Sequence, residues 1–219
     1  MPKQRELHDH FFREAKRNGY RSRAAYKLIE IDDKRNIFQK GDVVLDLGAA
    51  PGSWLQVTSE RVGQGGMVIG IDLNPIEGLL PENVKTIQDD VTSVTPTAIR
   101  SVVGFDRDIV FDVIISDMAP NTTGSRTVDH HQSVRLCHTA IDLTATMLLP
   151  KGNLVMKVLE GEAYRDLLDR AAQCFDIAKG FKPKASRSIS TEIFIVCTGR
   201  KSEMPESTPC APPTPTTGW

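Results

Sequence analysis

Short apolar runs rich in β-branched residues recur along the chain from Asp42 onward and alternate with longer stretches of mixed character. This alternation is typical of βα units that build a parallel sheet. The runs predicted as strands cover residues 43–47, 67–71, 84–87, 111–115, 153–158 and 193–198. The pattern therefore predicts an α/β fold.

Between these runs, apolar residues return at the three- and four-residue spacing of an amphipathic helix. The spacing is clearest at Leu136, Ala140, Leu143 and Met147. Crossover helices are predicted over residues 52–61, 134–149 and 163–174. A further helix, residues 22–31, precedes the sheet and can pack Ala25, Leu28 and Ile29 against it.

Composition favours a soluble protein with one domain. The chain has 219 residues, 40% of them apolar and 25% charged, and no apolar run approaches the roughly 20 residues that span a bilayer. Three of the first six residues are charged, and the N-terminus lacks the apolar stretch of a signal peptide. We therefore expect a cytoplasmic protein that does not enter a membrane, and we expect a monomer.

Charge is distributed unevenly along this domain. Residues 1–40 contain 11 Lys or Arg and 6 Asp or Glu, a net charge of +5, whereas the remaining residues have a net charge of −6. A basic segment beside an acidic body suggests binding to a polyanion, and a solvated basic helix is the alternative. The last segment, residues 201–219, is rich in Pro and Thr and is predicted to be disordered.

Cysteine and histidine spacing does not indicate a metal centre. The cysteines are far apart and form no C-x-x-C pair, so buried free thiols are expected at Cys137, Cys174, Cys197 and Cys210. His130, His131 and His138 have no third ligand at a recognisable spacing. No metal is therefore predicted.

A glycine turn follows the first predicted strand, which ends at Asp46. Gly48 and Gly52 are separated by Ala-Ala-Pro, and the small residues allow a ligand to lie against the backbone. The turn has neither the G-x-G-x-x-G of a dinucleotide fold nor the Lys-Ser/Thr of a P-loop. It therefore disfavours a cofactor held through phosphates.

Two carboxylates follow the next two strands. Asp72 lies about 20 positions past the glycine turn, where a carboxylate reaches a nucleoside ribose or adenine edge. Asp90 can accept a hydrogen bond from an adenine amino group. An isolated Asp at a strand end is more often a helix cap or turn residue, but the series predicts an adenosine-containing cofactor.

Asp117 and Lys157 end the fourth predicted strand and nearly end the fifth. Both are therefore expected at the carboxyl edge of the sheet, where open α/β folds bind ligands. A lysine within an apolar strand is costly unless it reaches solvent or pairs with an anion. Lys157 is thus a candidate functional residue.

Five stretches together carry a resemblance to a known family: RSRAAYKL at 21–28, DLGAAPGSW at 46–54, SDMAPN at 116–121, KVLEG at 157–161 and KPKASR from 182, continuing to Glu192. The chain resembles the FtsJ (RrmJ) ribose 2′-O-methyltransferases over nearly all of residues 1–200. It is most similar to bacterial-type members that act on large-subunit ribosomal RNA. Ser53 departs from the family, which usually has a second glycine there.

This resemblance implies a Rossmann-like class I methyltransferase fold, with a mostly parallel seven-stranded sheet and helices on both faces. Residues 41–200 would form the catalytic domain, and S-adenosyl-L-methionine would be the cofactor. The implied cofactor contacts are Gly52, Trp54, Asp72, Asp90 and Asp117, to which the glycine turn adds Asp46 and Gly48. The family's Lys-Asp-Lys-Glu tetrad corresponds to Lys27, Asp117, Lys157 and Glu192.

The reaction implied is methyl transfer to a ribose 2′-hydroxyl, with Lys157 orienting or deprotonating the hydroxyl. The expected substrate is a uridine of 23S ribosomal RNA in the assembled large subunit. Phosphate contacts are expected from the helical segment 1–40 and from residues 179–187, and the candidates in the first segment are Arg5, Arg13, Lys16, Arg17, Arg21 and Arg23.

Several other functions are compatible with parts of this pattern. The same catalytic edge serves methylation of a tRNA anticodon loop or of an mRNA cap. A nucleotide-binding oxidoreductase is disfavoured by the missing G-x-G-x-x-G. A non-catalytic RNA-binding relative is disfavoured because all four tetrad residue types are present.

Overall fold

A computed structural model describes residues 10–103, 110–186 and 190–203. In these residues the strands are β1 (Val43–Leu47), β2 (Met67–Asp72), β3 (Val84–Gln88), β4 (Phe111–Ser116), β5 (Leu148–Leu159), β6 (Phe175–Phe181) and β7 (Glu192–Arg200). The helices are α1 (His10–Arg17), α2 (Ala25–Arg35), α3 (Ser53–Val62), α4 (Pro96–Val103), α5 (Arg126–Met147) and α6 (Tyr164–Cys174).

All seven strands form a single sheet with the order β3-β2-β1-β4-β5-β7-β6. The first five pair in parallel, whereas β7 lies antiparallel between β5 and β6. The predicted α/β fold with a mostly parallel seven-stranded sheet is confirmed. Because β7 runs against its neighbours, its first residue, Glu192, lies at the edge where the parallel strands end.

Each face of the sheet is covered by a separate apolar cluster. Strand side chains on one face pack with α4, α5 and α6, and those on the other face pack with α2 and α3. Burial on both faces explains why the central strands have nearly continuous apolar sequences. Charged side chains within these strands, such as Asp46 and Lys157, are therefore exceptions to the apolar pattern.

The structure differs from the sequence prediction in one strand and in several boundaries, such as those of α2 and α5. Strand β6 was not predicted individually, because Asp176, Lys179 and Gly180 interrupt its apolar residues, as expected for an edge strand with a wet face. Strand β5 begins at Leu148, directly after α5 ends at Met147, whereas the helix was predicted to reach residue 149 and the strand to begin at residue 153.

Both ends of the chain extend beyond the described residues. Residues 1–9 lie outside them, and so does the part of the predicted tail from residue 204 onward. Lys201, at the start of that tail segment, is held by α6: its N–H donates to the Cys174 carbonyl, and its Nζ donates to the carbonyls of Ala172 and Gln173. Within the described ranges, no helix has both the length and the apolar character to cross a bilayer.

The carboxyl end of α2, the helix that carries Lys27, is fixed by a buried carboxylate. Asn36 ends the helix in the left-handed conformation. Asp32 Oδ1 then accepts hydrogen bonds from the N–H groups of Ile37 and Phe38, and its Oδ2 lies 3.1 Å from Arg61 Nε. The helix is thereby joined to α3, which follows the glycine turn.

Replacing Asp32 with Ala should lower the free energy of unfolding by about 3 kcal/mol, because it leaves two buried N–H groups without an acceptor and removes one of the two carboxylates that pair with Arg61. Denaturant unfolding measures this loss. Asp33→Ala is the matched control: Asp33 pairs with the same Arg61 at 2.6 Å but is 55% exposed, so its loss should cost less than about 1 kcal/mol. Equal costs for the two variants would contradict this account of the helix end.

Candidate active site

Lys157 lies near the end of β5 and is paired with Asp117, which follows β4. Its Nζ donates to the Asp117 carbonyl oxygen at 2.6 Å and lies 2.8 Å from Oδ1 of the same residue. The lysine side chain is only 8% exposed. A buried ammonium requires such a partner, because an unpaired charge would cost several kcal/mol.

A second buried pair joins α2 to β7. Lys27 Nζ donates to Glu192 Oε2 at 2.6 Å, and the lysine side chain is 7% exposed. Burial alone would raise the pKa of Glu192, but attraction to Lys27, their hydrogen bond and the charge of Lys157 together hold that pKa below its usual value. The two pairs are therefore coupled electrostatically, because the Lys157 ammonium favours the ionised form of Glu192.

Sheet register explains why the pairs lie together. Lys157 is opposite Phe194 across the β5–β7 ladder, and Glu192 is two residues before Phe194 on the same face. Lys27 Nζ lies 5.9 Å from the centroid of the Phe194 ring. The four predicted tetrad residues thus occupy one face at the carboxyl edge of the sheet.

A cleft of about 290 Å³ opens beside Asp117 at the same edge. Of the predicted cofactor residues, its lining includes Gly48, Asp72, Asp90 and Asp117, together with neutral residues that include Leu73, Asn74, Thr92 and Met118. Gly48 has φ +79, and a Cβ there would come within 2.8 Å of Met118 Cγ, so any larger residue would be strained.

The carboxylates of Asp72 and Asp90 are oriented by short-range hydrogen bonds. Asp72 accepts from the N–H of Ala50, which connects it to the glycine turn, and from the N–H of Asn74 in its own loop. Asp90 accepts from the N–H and hydroxyl of Thr92, and these bonds lower its pKa. Both side chains are therefore held as acceptors on the wall of the cleft.

Comparison with known proteins gives a family match over most of the chain. The model of the FtsJ-like methyltransferase family matches residues 20–200. The chain belongs to the FtsJ-like methyltransferase family. A relative from Halorubrum lacusprofundi named Ribosomal RNA large subunit methyltransferase E is 43% identical over 192 residues, which cover 87% of this chain and 70% of the relative. A protein of that name from Acinetobacter baumannii (strain AYE) is 39% identical, with 90% of each chain covered.

Solved structures agree with this assignment. A Plasmodium falciparum protein described as a ribosomal RNA methyltransferase is 30% identical, with a TM-score of 0.72 and coverage of 83% of this chain and 98% of that one. Aeropyrum pernix fibrillarin, solved with bound S-adenosyl-L-methionine, is 14% identical with a TM-score of 0.54 over 80% of this chain and 76% of that one. The second likeness concerns the fold alone.

Three predicted cofactor residues of this FtsJ-like methyltransferase do not line the cleft. Gly52 caps α3 with φ +101. Trp54 is buried, donates from Nε1 to the Ala24 carbonyl and packs on Phe194. Asp46 is fully buried, and neither of its carboxylate oxygens has a hydrogen-bond partner. These three residues therefore support the glycine turn beneath the cleft and do not line the cleft.

Arg21 has a role that sequence analysis missed. It was expected to contact RNA phosphates, but its guanidinium donates to the carbonyls of Pro51, Glu77 and Leu79 at 3.0, 2.6 and 2.8 Å. The side chain therefore joins the glycine turn to the loop after β2. Its position at the start of the RSRAAYKL motif was the only sequence signal.

Ser53, the departure from the family pattern, is also explained by the N-terminal segment. Its buried hydroxyl lies 2.8 Å from the Ser22 hydroxyl. The added hydroxymethyl group thus faces the segment before α2, and Ser53 does not line the cleft.

The cysteines are buried wherever the structure describes them, and of the predicted basic residues Arg13, Lys16 and Arg17 are exposed on α1. Cys137, Cys174 and Cys197 are buried free thiols, and burial raises the pKa of each. In the described ranges, no cluster of three or more His, Cys, Asp or Glu is arranged to hold a metal. Cys210, Arg5 and Arg187 lie outside those ranges.

Asp46→Asn should stabilise the protein without ligand at neutral pH. Burial, followed by the charges of Asp117 and Asp72, raises the pKa of Asp46 well above 3.8. A carboxyl whose pKa is raised on folding lowers stability above its unfolded pKa and recovers it as the pH falls. Thermal unfolding should therefore give a higher Tm for the variant at pH 7, with a gain that shrinks toward pH 4.

Asp72→Asn is the control for this comparison. Asp72 already accepts two backbone hydrogen bonds, so its replacement should bring no gain in Tm at pH 7. A lower Tm for Asp46→Asn at pH 7 would show that Asp46 is not an uncompensated buried charge.

Proposed function

We propose that this protein transfers the methyl group of S-adenosyl-L-methionine to a ribose 2′-hydroxyl of large-subunit ribosomal RNA. The observation that carries the proposal is the pair of buried Lys–carboxylate contacts beside the cleft, Lys157–Asp117 and Lys27–Glu192. The names of the relatives favour the ribosomal substrate. Within it, we propose a uridine of 23S ribosomal RNA in the assembled subunit as the acceptor.

The residues present fit this cofactor. Asp72 and Asp90 present oriented acceptors for hydroxyl or amino donors of an adenosine. Beneath them, Asp46 is a buried carboxylate without a partner, and it adds to the charges of Asp72 and Asp117. Such a floor favours a ligand of net positive charge. When bound, S-adenosyl-L-methionine supplies a methyl group on a sulfonium, and an oxygen nucleophile can attack that methyl carbon with the thioether as leaving group.

We assign Lys157 to the acceptor hydroxyl. Its ammonium has three N–H donors, and the contacts with Asp117 account for at most two of them. A remaining N–H can hold the ribose O2′ in line for displacement, which is the positioning that such a reaction requires. Asp117 stabilises the ammonium, so orientation by a fixed charge is the role that the geometry favours over proton removal by a neutral amine. In that role, the O–CH3 bond would form as the S–CH3 bond breaks, and the hydroxyl proton would pass to water.

Lys27 and Glu192 complete the acceptor side of the site. Lys27 brings a second positive charge to the face where the hydroxyl oxygen becomes more negative during transfer. Glu192 offsets the cost of burying that ammonium and fixes its position. Because α2 supplies Lys27, the N-terminal segment contributes directly to the chemistry.

Lys157→Ala should lower methyl transfer to large ribosomal subunits by about 10²–10⁴-fold, the range for a positioned catalytic group. Incorporation of tritiated methyl groups measures transfer, and calorimetry should show S-adenosyl-L-methionine affinity close to that of the unmodified protein. Lys157→Arg separates the two roles, because Arg keeps the charge and cannot give up its proton. Partial activity in that variant supports orientation, whereas loss equal to the Ala variant supports proton removal.

Lys85→Ala, on the exposed face of β3, is the control and should remain fully active. Near-normal transfer by Lys157→Ala would exclude the assignment. Methyl transfer to tRNA or capped mRNA but not to large subunits would redirect the proposal to those substrates. Cofactor binding without transfer to any RNA would point to a non-catalytic relative.

The floor of the cleft gives a separate prediction about the cofactor. At a pH above the raised pKa of Asp46, Asp46→Asn removes one negative charge beneath the cleft, so affinity for S-adenosyl-L-methionine should fall by roughly tenfold, or about 1.4 kcal/mol. S-adenosyl-L-homocysteine lacks the sulfonium charge, so its affinity should fall less in the same variant. Equal losses for the two ligands in calorimetry would contradict an electrostatic role for Asp46.

A further inference from the structure

A second groove, of about 210 Å³, lies on the sheet face that carries α2, outside the cleft already described. Its lining consists of Lys34, Arg35, Ile177, Lys179, Val196 and Thr198. The residues come from the end of α2, the edge strand β6 and the neighbouring strand β7. None of them belongs to the tetrad or lines the cofactor cleft.

The charged side chains that line this groove are all positive. Lys34 is paired with Glu30 at 3.1 Å. Among the described residues, no carboxylate lies within ion-pair distance of Arg35 or Lys179. The cations are therefore only partly neutralised within the protein, and the groove attracts an anion.

An aromatic ring adjoins the cations at one end. Lys34 Nζ lies 5.2 Å and Arg35 Cζ 5.8 Å from the centroid of the half-buried Phe181 ring. These contacts hold both long side chains against the end of β6. Lys179 is two residues earlier on that strand, so the positive charge comes from a helix and from a strand.

The groove continues from the catalytic edge. Phe181 is opposite Phe194, which in turn is opposite Lys157. Lys34 is seven residues from Lys27 on the same helix, a rise of roughly 10 Å. A single RNA strand can therefore contact both the tetrad and the groove.

We propose that this groove binds the phosphate backbone of the substrate RNA next to the nucleotide whose ribose is methylated. The proposal rests on the function proposed above and deepens it by assigning a substrate subsite to Lys34, Arg35 and Lys179. A backbone fits better than a single small anion, because the cations come from separate elements rather than from one loop. The groove thus fixes the register of the RNA at the tetrad.

Arg35→Gln and Lys179→Gln, singly and together, test this subsite in the full-length protein. Lys85→Gln is the matched control, because Lys85 is an exposed lysine on β3, the edge strand at the opposite side of the sheet. The probe is deproteinised large-subunit ribosomal RNA from a strain lacking the enzyme, titrated at several KCl concentrations. Calorimetry with S-adenosyl-L-methionine checks that the cleft is intact.

Each groove substitution should reduce the slope of log affinity against log salt by roughly 0.7–0.9, the value for one lost phosphate contact. The KM for assembled large subunits from the same strain should rise severalfold, while kcat at saturating subunits and cofactor affinity stay unchanged. The charge-conserving variant Lys179→Arg should retain the slope of the unmodified protein. Lys85→Gln should match the unmodified protein in every measurement.

Two results would overturn the subsite. In one, the groove variants retain the salt slope and KM of Lys85→Gln although the unmodified protein methylates RNA. In the other, they lose activity on assembled subunits but bind deproteinised RNA normally, which would make the groove a contact for a ribosomal protein. Salt-dependent binding through the groove without any methyl transfer would instead contradict the proposed function alone.

Discussion

Two lysine ammonium groups are buried at one edge of the sheet, and each is held by one carboxylate. Such burial is tolerable only when an opposite charge lies close, and the distances of 2.8 Å for Lys157–Asp117 and 2.6 Å for Lys27–Glu192 meet that condition. The antiparallel insertion of β7 provides the second carboxylate, because it turns the first residue of that strand toward the edge where the others end. The fold and the site thus depend on the same constraint.

The glycine turn shows how stability and binding oppose each other here. Asp46 has no partner, and its pKa is raised by burial and by two neighbouring carboxylates, so the protein without ligand bears an electrostatic cost at the floor of the cleft. Arg21 joins three carbonyls of the surrounding loops, and Asp72 is tied to the turn through Ala50. These contacts hold the cleft in shape despite that cost, as is common at binding sites.

Strand periodicity predicted the parts of the site that follow strands directly. Asp117 and Lys157 were found in this way, because the end of a parallel strand fixes which edge a residue occupies. Lys27 and Glu192 are 165 positions apart, and only the family resemblance connected them. The clamp by Arg21 and the Ser22–Ser53 contact could not be predicted, since both depend on how the segment before α2 folds over the turn. Both basic segments were expected to contact phosphates, but strand β6 has too few apolar residues to be recognised, so the sequence did not show that the two segments form one groove.

The central claim is that the paired lysines direct methylation to one ribose of large-subunit ribosomal RNA. Mapping 2′-O-methyl groups across that RNA in a deletion strain tests it most directly. We expect a single 2′-O-methylated nucleotide to be lost, and to be restored by a copy of the unmodified gene but not by one encoding Lys157→Ala. An unchanged methylation map in the deletion strain would contradict the account.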